Sequence, residues 1–254
     1  MKDTIYTIPL TDAFNAQDEC PFCFIKRKLE QDAISFILGA AYMEDDIRAT
    51  TDEMGFCNEH YKKMYDYGNR LGTALILHTH YIALQKELAK QIEAFSPSKA
   101  SFFDKLKKTK TIQDADSNPI SDWVDAKNKS CYICDYIDKN FVRYMDTFFH
   151  LYANQPEFKK LFNESKGFCV THFGDLMRLS HTKISEKDKP EFYASLFKLT
   201  QDNLKRLEED LSWFIDKYDY RNKDADWKTS KDAIPRGIQK LVGGYVQDPP
   251  FKEK

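Results

Sequence analysis

Turn-forming residues are scarce in this chain: 9 glycines and 9 prolines in 254 residues. That leaves little for the frequent turns of a β-rich fold and points to long helices. Charge of one sign is lacking as well, with 38 basic against 40 acidic side chains and a net charge of −2. The chain as a whole is therefore drawn neither to nucleic acid nor to an anionic membrane, while a protein partner stays open. No stretch approaches the roughly 20 apolar residues of a membrane span, and Met1 to Asn15 holds no apolar run of signal-peptide length. The expected location is the cytoplasm. A Walker loop, a dinucleotide fingerprint, a G-x-S-x-G elbow and an H-E-x-x-H helix are all missing, so no motif signals a catalytic class. What is present is apolar material for a core: 42% hydrophobic residues, with aromatics at 14%.

Cysteine is sparse too, and its placement is the main signal. Gly55-Phe56-Cys57-Asn58-Glu59-His60 returns as Gly167-Phe168-Cys169-Val170-Thr171-His172, and each copy follows its own Cys-x-x-Cys, Cys20/Cys23 and Cys131/Cys134. All six cysteines and two of the six histidines fall into these two sets. In a reducing compartment such a pattern favours metal ligation over disulfides. Three thiolates and an imidazole make up the donor set of a closed tetrahedral zinc site. Read in chain order, Cys20, Cys23, Cys57 and His60 form one site, and Cys131, Cys134, Cys169 and His172 the other. Iron–sulfur ligation and redox-active dithiols are the alternatives. A thioredoxin-like site would need a strand and a βαβ context, which the chain lacks.

The predicted fold is all-α, a helical bundle of two metal-stapled units: a first Cys3His repeat over 1–95, a connection over 96–130, a second repeat over 131–218 and an irregular tail over 219–254. Residues 1–19 read as a lead-in. Pro21 suits a helix start, and Phe22, Ile25, Leu29, Ala33, Phe36 and Ala40 give that helix one apolar stripe to about Ala41. Glu44-Asp45-Asp46 opens a shorter helix that Gly55 stops; the acidic triplet reads as a solvated helix start. A long helix is predicted from Cys57 toward Phe95, with Cys57, Tyr61, Met64, Gly68, Leu71, Leu75, His78 and Ile82 on one seam and His78 packed in the core. Lys105, Lys107, Lys108 and Lys110, followed by Asp114 and Asp116, read as a solvated connection with a short helix at most. The second half repeats the plan: a stripe through Cys134, Ile137, Phe141, Met145, Phe148 and Tyr152, a break at Pro156, a short helix ended by Gly167, a helix from Cys169 fading near Ser180, and a long helix after Pro190 with Leu204, Leu207, Leu211, Phe214 and Tyr218 on one face.

Cys20-Pro21-Phe22-Cys23, Tyr42-Met43-Glu44-Asp45-Asp46-Ile47-Arg48, both Gly-Phe-Cys-x-x-His segments and the ending with Asp219-Tyr220-Arg221, Trp227 and Ser230-Lys231-Asp232 resemble an uncharacterised bacterial family, a domain of unknown function. The resemblance covers nearly the whole chain and implies a cytoplasmic bacterial protein without an assigned activity. Some relatives carry an automated label of ABC transporter substrate-binding protein, which conflicts with the lack of an export signal and of two α/β lobes. Two closed metal sites favour a non-enzymatic scaffold or interaction module. A redox or metal-sensing protein with an iron–sulfur or labile site is the alternative. An enzyme built on His78, His150 or the Glu44–Asp46 cluster has only ordinary polar residues behind it.

Overall fold

A computed structural model describes residues 5–97 and 117–246. The expected lysine run Lys105–Lys110, with Asp114 and Asp116, lies outside the described residues. Among those described there is no strand, and eleven α-helices follow one another. They are α1 (Thr7–Asn15), α2 (Pro21–Gly39), α3 (Asp45–Met54), α4 (Asn58–Tyr67), α5 (Arg70–Ala94), α6 (Pro119–Lys129), α7 (Tyr132–Asn154), α8 (Pro156–Glu164), α9 (Val170–Lys183), α10 (Lys189–Asp216) and α11 (Ala233–Val242). No described helix is long and apolar enough to cross a membrane. The chain divides into two compact units, Met1–Gln31 with Ile137–Pro249, and Asp32–Tyr136 with Pro250–Lys254. The sequential division expected from the motifs, 1–95 and 131–218, is thus not the one the fold makes. Helices α2 and α7 each begin in one unit and end in the other.

The first unit is organised by aromatic rings. Phe14 of α1, Phe22 of α2, Phe148 and Tyr152 of α7, Phe158 and Phe162 of α8, Phe168 and Phe192 are all buried. Their edge-to-face and tilted contacts run at centroid distances such as 5.0 Å for Phe14–Phe158, 5.4 Å for Phe22–Phe148 and 4.9 Å for Phe22–Phe168. Burial of each ring is worth about 2–3 kcal/mol, and ring pairs add about 0.5–1.5 kcal/mol. The expected α7 stripe is the one observed, with Ile137, Phe141, Met145, Phe148 and Tyr152 all buried. Pro156 starts α8 as its first residue, where its missing N–H costs nothing. The lead-in differs from expectation: α1 is a helix because Leu10, Ala13 and Phe14 give it one buried side.

In the second unit α3 and α4 pack on α5, and α6 returns along α5. The single long helix expected from Cys57 is two helices. Gly68, at φ +99°, ends α4, and the Asn69 side chain caps α5 by accepting from the Gly72 N–H at 2.9 Å while donating to the Leu38 carbonyl at 2.6 Å. Each helical residue turns about 100°, so the interruption resets the phase of everything that follows. The inward residues of α5 are therefore Gly72, Thr73 and Ile76, whereas Leu71 and Ile82 of the expected seam face outward. His78 is exposed rather than packed. His80 takes the inner position, donating from Nδ1 to the Asp52 carbonyl at 2.7 Å. The connection carries an 11-residue helix, α6, fixed by a capping box between Asn118 and Ser121.

The tail is not irregular throughout. Helix α11 packs on α9 and α10, yet buries Ala233, Gly237, Gln239 and Lys240 and turns Ile234, Ile238, Leu241 and Val242 outward. An apolar-stripe search points to the wrong side of such a helix. Gly237 faces α10, where an added Cβ would meet the Leu211 side chain at 3.4 Å, an ordinary contact. On α10, Leu207 is buried, while Leu204 and Tyr218, the latter beyond the helix end, are exposed.

The ring cluster gives a direct test. Phe148 is fully buried and touches Phe14, Phe22, Phe158, Phe162 and Phe168. Phe148→Ala is expected to lower the unfolding free energy by about 3–5 kcal/mol in urea titration, and a loss below about 1 kcal/mol would contradict this account of the core.

Candidate metal centres

Both Gly-Phe-Cys-x-x-His segments adopt the same local structure. Gly55 and Gly167 have φ of +62° and +72°, a region that favours glycine, and a Cβ on Gly55 would also stand 2.7 Å from the His80 ring. The turn buries Phe56 and Phe168 and delivers Cys57 and Cys169 as the N-caps of α4 and α9, in extended conformation. Each histidine lies in the first turn of its helix and reaches back to its cysteine, at 3.2 Å in both cases. The Cys-x-x-Cys pairs sit at the starts of α2 and α7. There the Cys131 sulfur accepts from the Cys134 N–H at 3.5 Å, as Cys169 accepts from the His172 N–H at 3.4 Å. Helix starts supply exposed N–H groups that favour the thiolate.

The four donors of each cluster lie within 4.8 Å of one another, but the pairing is crossed: Cys20, Cys23, Cys169 and His172 meet, and so do Cys57, His60, Cys131 and Cys134. All eight predicted residues are brought together, each set within one unit, and the expected sequential quartets do not form. The reason is reach. At 1.5 Å per residue the 16 residues of α2 beyond Cys23 carry the chain about 24 Å from it, and the 10-residue α3 returns at most about 15 Å. The 23 residues of α7 and the nine of α8 repeat the mismatch.

A tetrahedral zinc ion with about 2.3 Å to sulfur and about 2.0–2.1 Å to nitrogen has S···S edges of about 3.8 Å and S···N edges of about 3.6 Å. In the first cluster Cys23 and Cys169 are 3.7 Å apart, and His172 Nδ1 lies 3.3, 3.5 and 3.2 Å from Cys20, Cys23 and Cys169. In the second, Cys57 and Cys134 are 3.9 Å apart, and His60 Nδ1 lies 3.2, 3.2 and 3.4 Å from Cys57, Cys131 and Cys134. Both clusters thus have the dimensions of a cage for a single ion. His172 turns Nδ1 to three sulfurs, while its Nε2 is buried without a hydrogen-bond partner beside the Phe22 and Phe141 rings. No cysteine among the described residues is in a disulfide.

Without a cation, three sulfurs this close cannot all ionise. Burial pushes the Cys20 thiol well up, hydrogen bonding to Cys169 holds Cys23 up at about 12, and Cys169 is driven down by the bonds it accepts from both. In the second cluster burial opposes ionisation of Cys131, but hydrogen bonds from His60 and from backbone N–H groups outweigh it and bring the thiol down to about 6. Burial and the neighbouring sulfurs push Cys134 up. Cys169 is therefore favoured as a thiolate over Cys20 and Cys23, and Cys131 over Cys134, and a positive ion would displace the protons of the disfavoured thiols.

The surroundings differ. The first cluster is sealed by the C-terminal segment: a Cβ on Gly243 would lie 3.3 Å from the Cys169 sulfur and 3.6 Å from that of Cys23, and the Gly244 N–H donates to Cys23 at 3.3 Å. This segment is anchored by a buried ionic network. Lys240 Nζ donates to the carbonyls of Glu19 and of Lys166, the latter at 2.6 Å, and lies 3.3 Å from the Glu19 carboxylate. Arg206 and Arg236 also pair with Glu19, and Arg236 continues to Asp210 at 2.9 Å. Burial alone would raise the Glu19 carboxyl; Arg206 and Lys240 hold it below its ordinary value. Sequence reasoning missed Glu19, Lys240, Arg236 and Gly243; the Gly243-Gly244 pair in a glycine-poor chain was the available signal. In the second cluster Cys57 and Cys134 remain half-buried.

His78, His150 and Glu44 to Asp46 belong to neither cluster. All five are exposed, with Asp45 and Asp46 in the first turn of α3 and His150 on α7 beside Asn154.

Lys240→Met keeps most of the side chain's length, leaves Glu19 with one cation fewer and removes the Nζ donor from two carbonyls. The expected cost is about 3–5 kcal/mol in chemical denaturation. A change within about 0.5 kcal/mol would show that the network does not hold the segment down.

Residues 1–248 match the family described as "Family of unknown function (DUF6062)", and the chain belongs to it. No curated protein and no solved structure matches the chain.

Proposed function

We propose that each cluster holds one zinc ion as a structural staple and that the chain works as a non-enzymatic helical scaffold or interaction module. The observation that carries the zinc reading is the set of donor separations, 3.2–3.9 Å, which match the edges of a tetrahedron around one ion. An iron–sulfur cluster brings several metal atoms and sulfides of its own and needs its cysteines further apart. Four protein donors fill a tetrahedral ion and leave no position for substrate, which favours a structural over a hydrolytic role. Zinc supplies charge and directional bonding; the chain supplies a thiolate at each helix start and a neutral imidazole held by its neighbours. The outward Ile234, Ile238, Leu241 and Val242 of α11 support a role in contact with another protein.

Binding of this kind contributes on the order of 10 kcal/mol to folding, comparable to the net stability of a whole domain. Crossed pairing gives a specific expectation for paired substitutions. Elemental analysis of the wild type should find one zinc per cluster in a colourless protein. Cys20→Ser with Cys169→Ser should cost one ion per chain, because both belong to one cage, whereas Cys20→Ser with Cys57→Ser should cost both. The reverse outcome restores the sequential pairing, and unchanged metal in every variant sinks the staple reading.

A further inference from the structure

The two clusters share their donor chemistry and nearly share their dimensions, but differ in access. In the first, the cysteines are 0%, 3% and 0% exposed at Cys20, Cys23 and Cys169, and the Gly243-Gly244 backbone lies against two of the sulfurs. In the second, Cys57 and Cys134 are half-buried. Cys57 also forms part of the wall of an open cavity of about 480 Å³ between α5 and α6. Leu84, Leu88, Trp123 and Val124 supply its apolar side, while Asn58 and His80 are polar groups near the cysteine. A molecule of a few heavy atoms can therefore enter beside Cys57 without unfolding the helices around it.

We infer that the Cys57/His60/Cys131/Cys134 centre is a site of oxidation by small hydroperoxides, with Cys57 as the thiolate that attacks the peroxide and Cys134 as the sulfur that resolves it. This rests on the metal reading above and assigns that centre a chemical role. The Cys57 thiolate attacks the terminal oxygen of the hydroperoxide: the S–O bond forms, the O–O bond breaks, and the departing oxide takes a proton from water, leaving a sulfenic acid. The Cys134 sulfur, 3.9 Å away, then attacks the oxidised sulfur. An S–S bond forms, the S–O bond breaks, and the sulfenic oxygen leaves as hydroxide, which a solvent proton converts to water; the Cys134 sulfur, a thiolate in the metal-loaded centre, has no proton to lose. The two sulfurs together lose two electrons and the peroxide gains them, giving water and the parent alcohol, or two waters from hydrogen peroxide. His60 and Cys131 alone cannot retain the ion, so oxidation empties this centre.

Sulfur proximity does not select the site. Cys23 and Cys169 are 3.7 Å apart in the first cluster, as ready to bridge as Cys57 and Cys134. Selection comes from the buried sulfurs, the backbone laid over them and the Gly244 N–H, which draws electron density from Cys23. The second cluster has an open wall where the first has this cover.

The test treats the metal-loaded full-length protein with hydrogen peroxide while a chromogenic chelator follows metal release and mass mapping follows each thiol. The expected result is a first phase releasing one ion per chain together with a Cys57–Cys134 disulfide, with Cys20, Cys23 and Cys169 reacting at least tenfold more slowly. Val124→Trp, which narrows the cavity from the α6 side without replacing a donor residue, should retain both ions and slow the first phase several-fold. Equal rates at both centres, earlier loss from the Cys20 centre, or an unaltered rate in Val124→Trp would overturn the assignment. Metal analysis before oxidant is added separates the two claims. Protein purified without metal overturns the staple reading, and its thiol map still tests the order of reactivity; metal-loaded protein whose thiols react at one rate overturns the oxidation site alone.

Discussion

Three sulfurs packed within 4.8 Å of one another and of an imidazole nitrogen cannot all become thiolates unless a cation sits among them, and in this fold two such clusters lie at the helix starts. Each cluster ties a Cys-x-x-Cys to a Cys-x-x-His that is remote in the chain: Cys20 and His172 are 152 residues apart, and His60 and Cys131 are 71 apart. Closing loops of that length costs entropy that grows only slowly with length, so a strong local bond can offset it. What the clusters then impose is directional. Every helix that begins at a donor residue has its first turn held by a sulfur or an imidazole, and the aromatic core of the first unit is built immediately behind Cys20 and Cys169 through Phe22 and Phe168.

The same donor set behaves differently in two settings because the second sphere differs. Around Cys23 and Cys169 the C-terminal segment brings a backbone N–H, two glycines and an ionic network whose centre is the buried Glu19. Such a network is costly to desolvate and rigid once satisfied, and it contributes position more than net energy. Around Cys57 a cavity takes the place of that cover.

Much of the arrangement is legible from residue types alone. Scarce glycine and proline, apolar residues three and four apart, and proline at the starts of α2 and α8 are local signals, and α2, α7 and α8 lie where those signals place them. Errors occur where a local rule met a non-local decision. The α4–α5 break at Gly68 and Asn69 depends on Leu38, a residue about 30 positions earlier that receives the Asn69 amide, and it reverses the roles of His78 and His80. Helix α11 was hidden because its buried face is made of Ala233, Gly237, Gln239 and Lys240, the last two held by Asp18, by Glu19 and by the carbonyl of Lys166.

By itself the sequence determined the helical class, the identity of the eight donor residues and their delivery at helix starts, because periodicity, capping and Cys-x-x-Cys spacing act within a turn or two of the chain. Only the tertiary structure decided which pair of donors meets which. That choice depends on how far α2 and α7 carry the chain before it turns, and no spacing between cysteines records a direction in space. It also decided that one cage lies under a backbone cover while the other opens on a cavity, since those neighbours come from α5, α6 and the C-terminal segment, far along the chain from the cysteines they shield or expose.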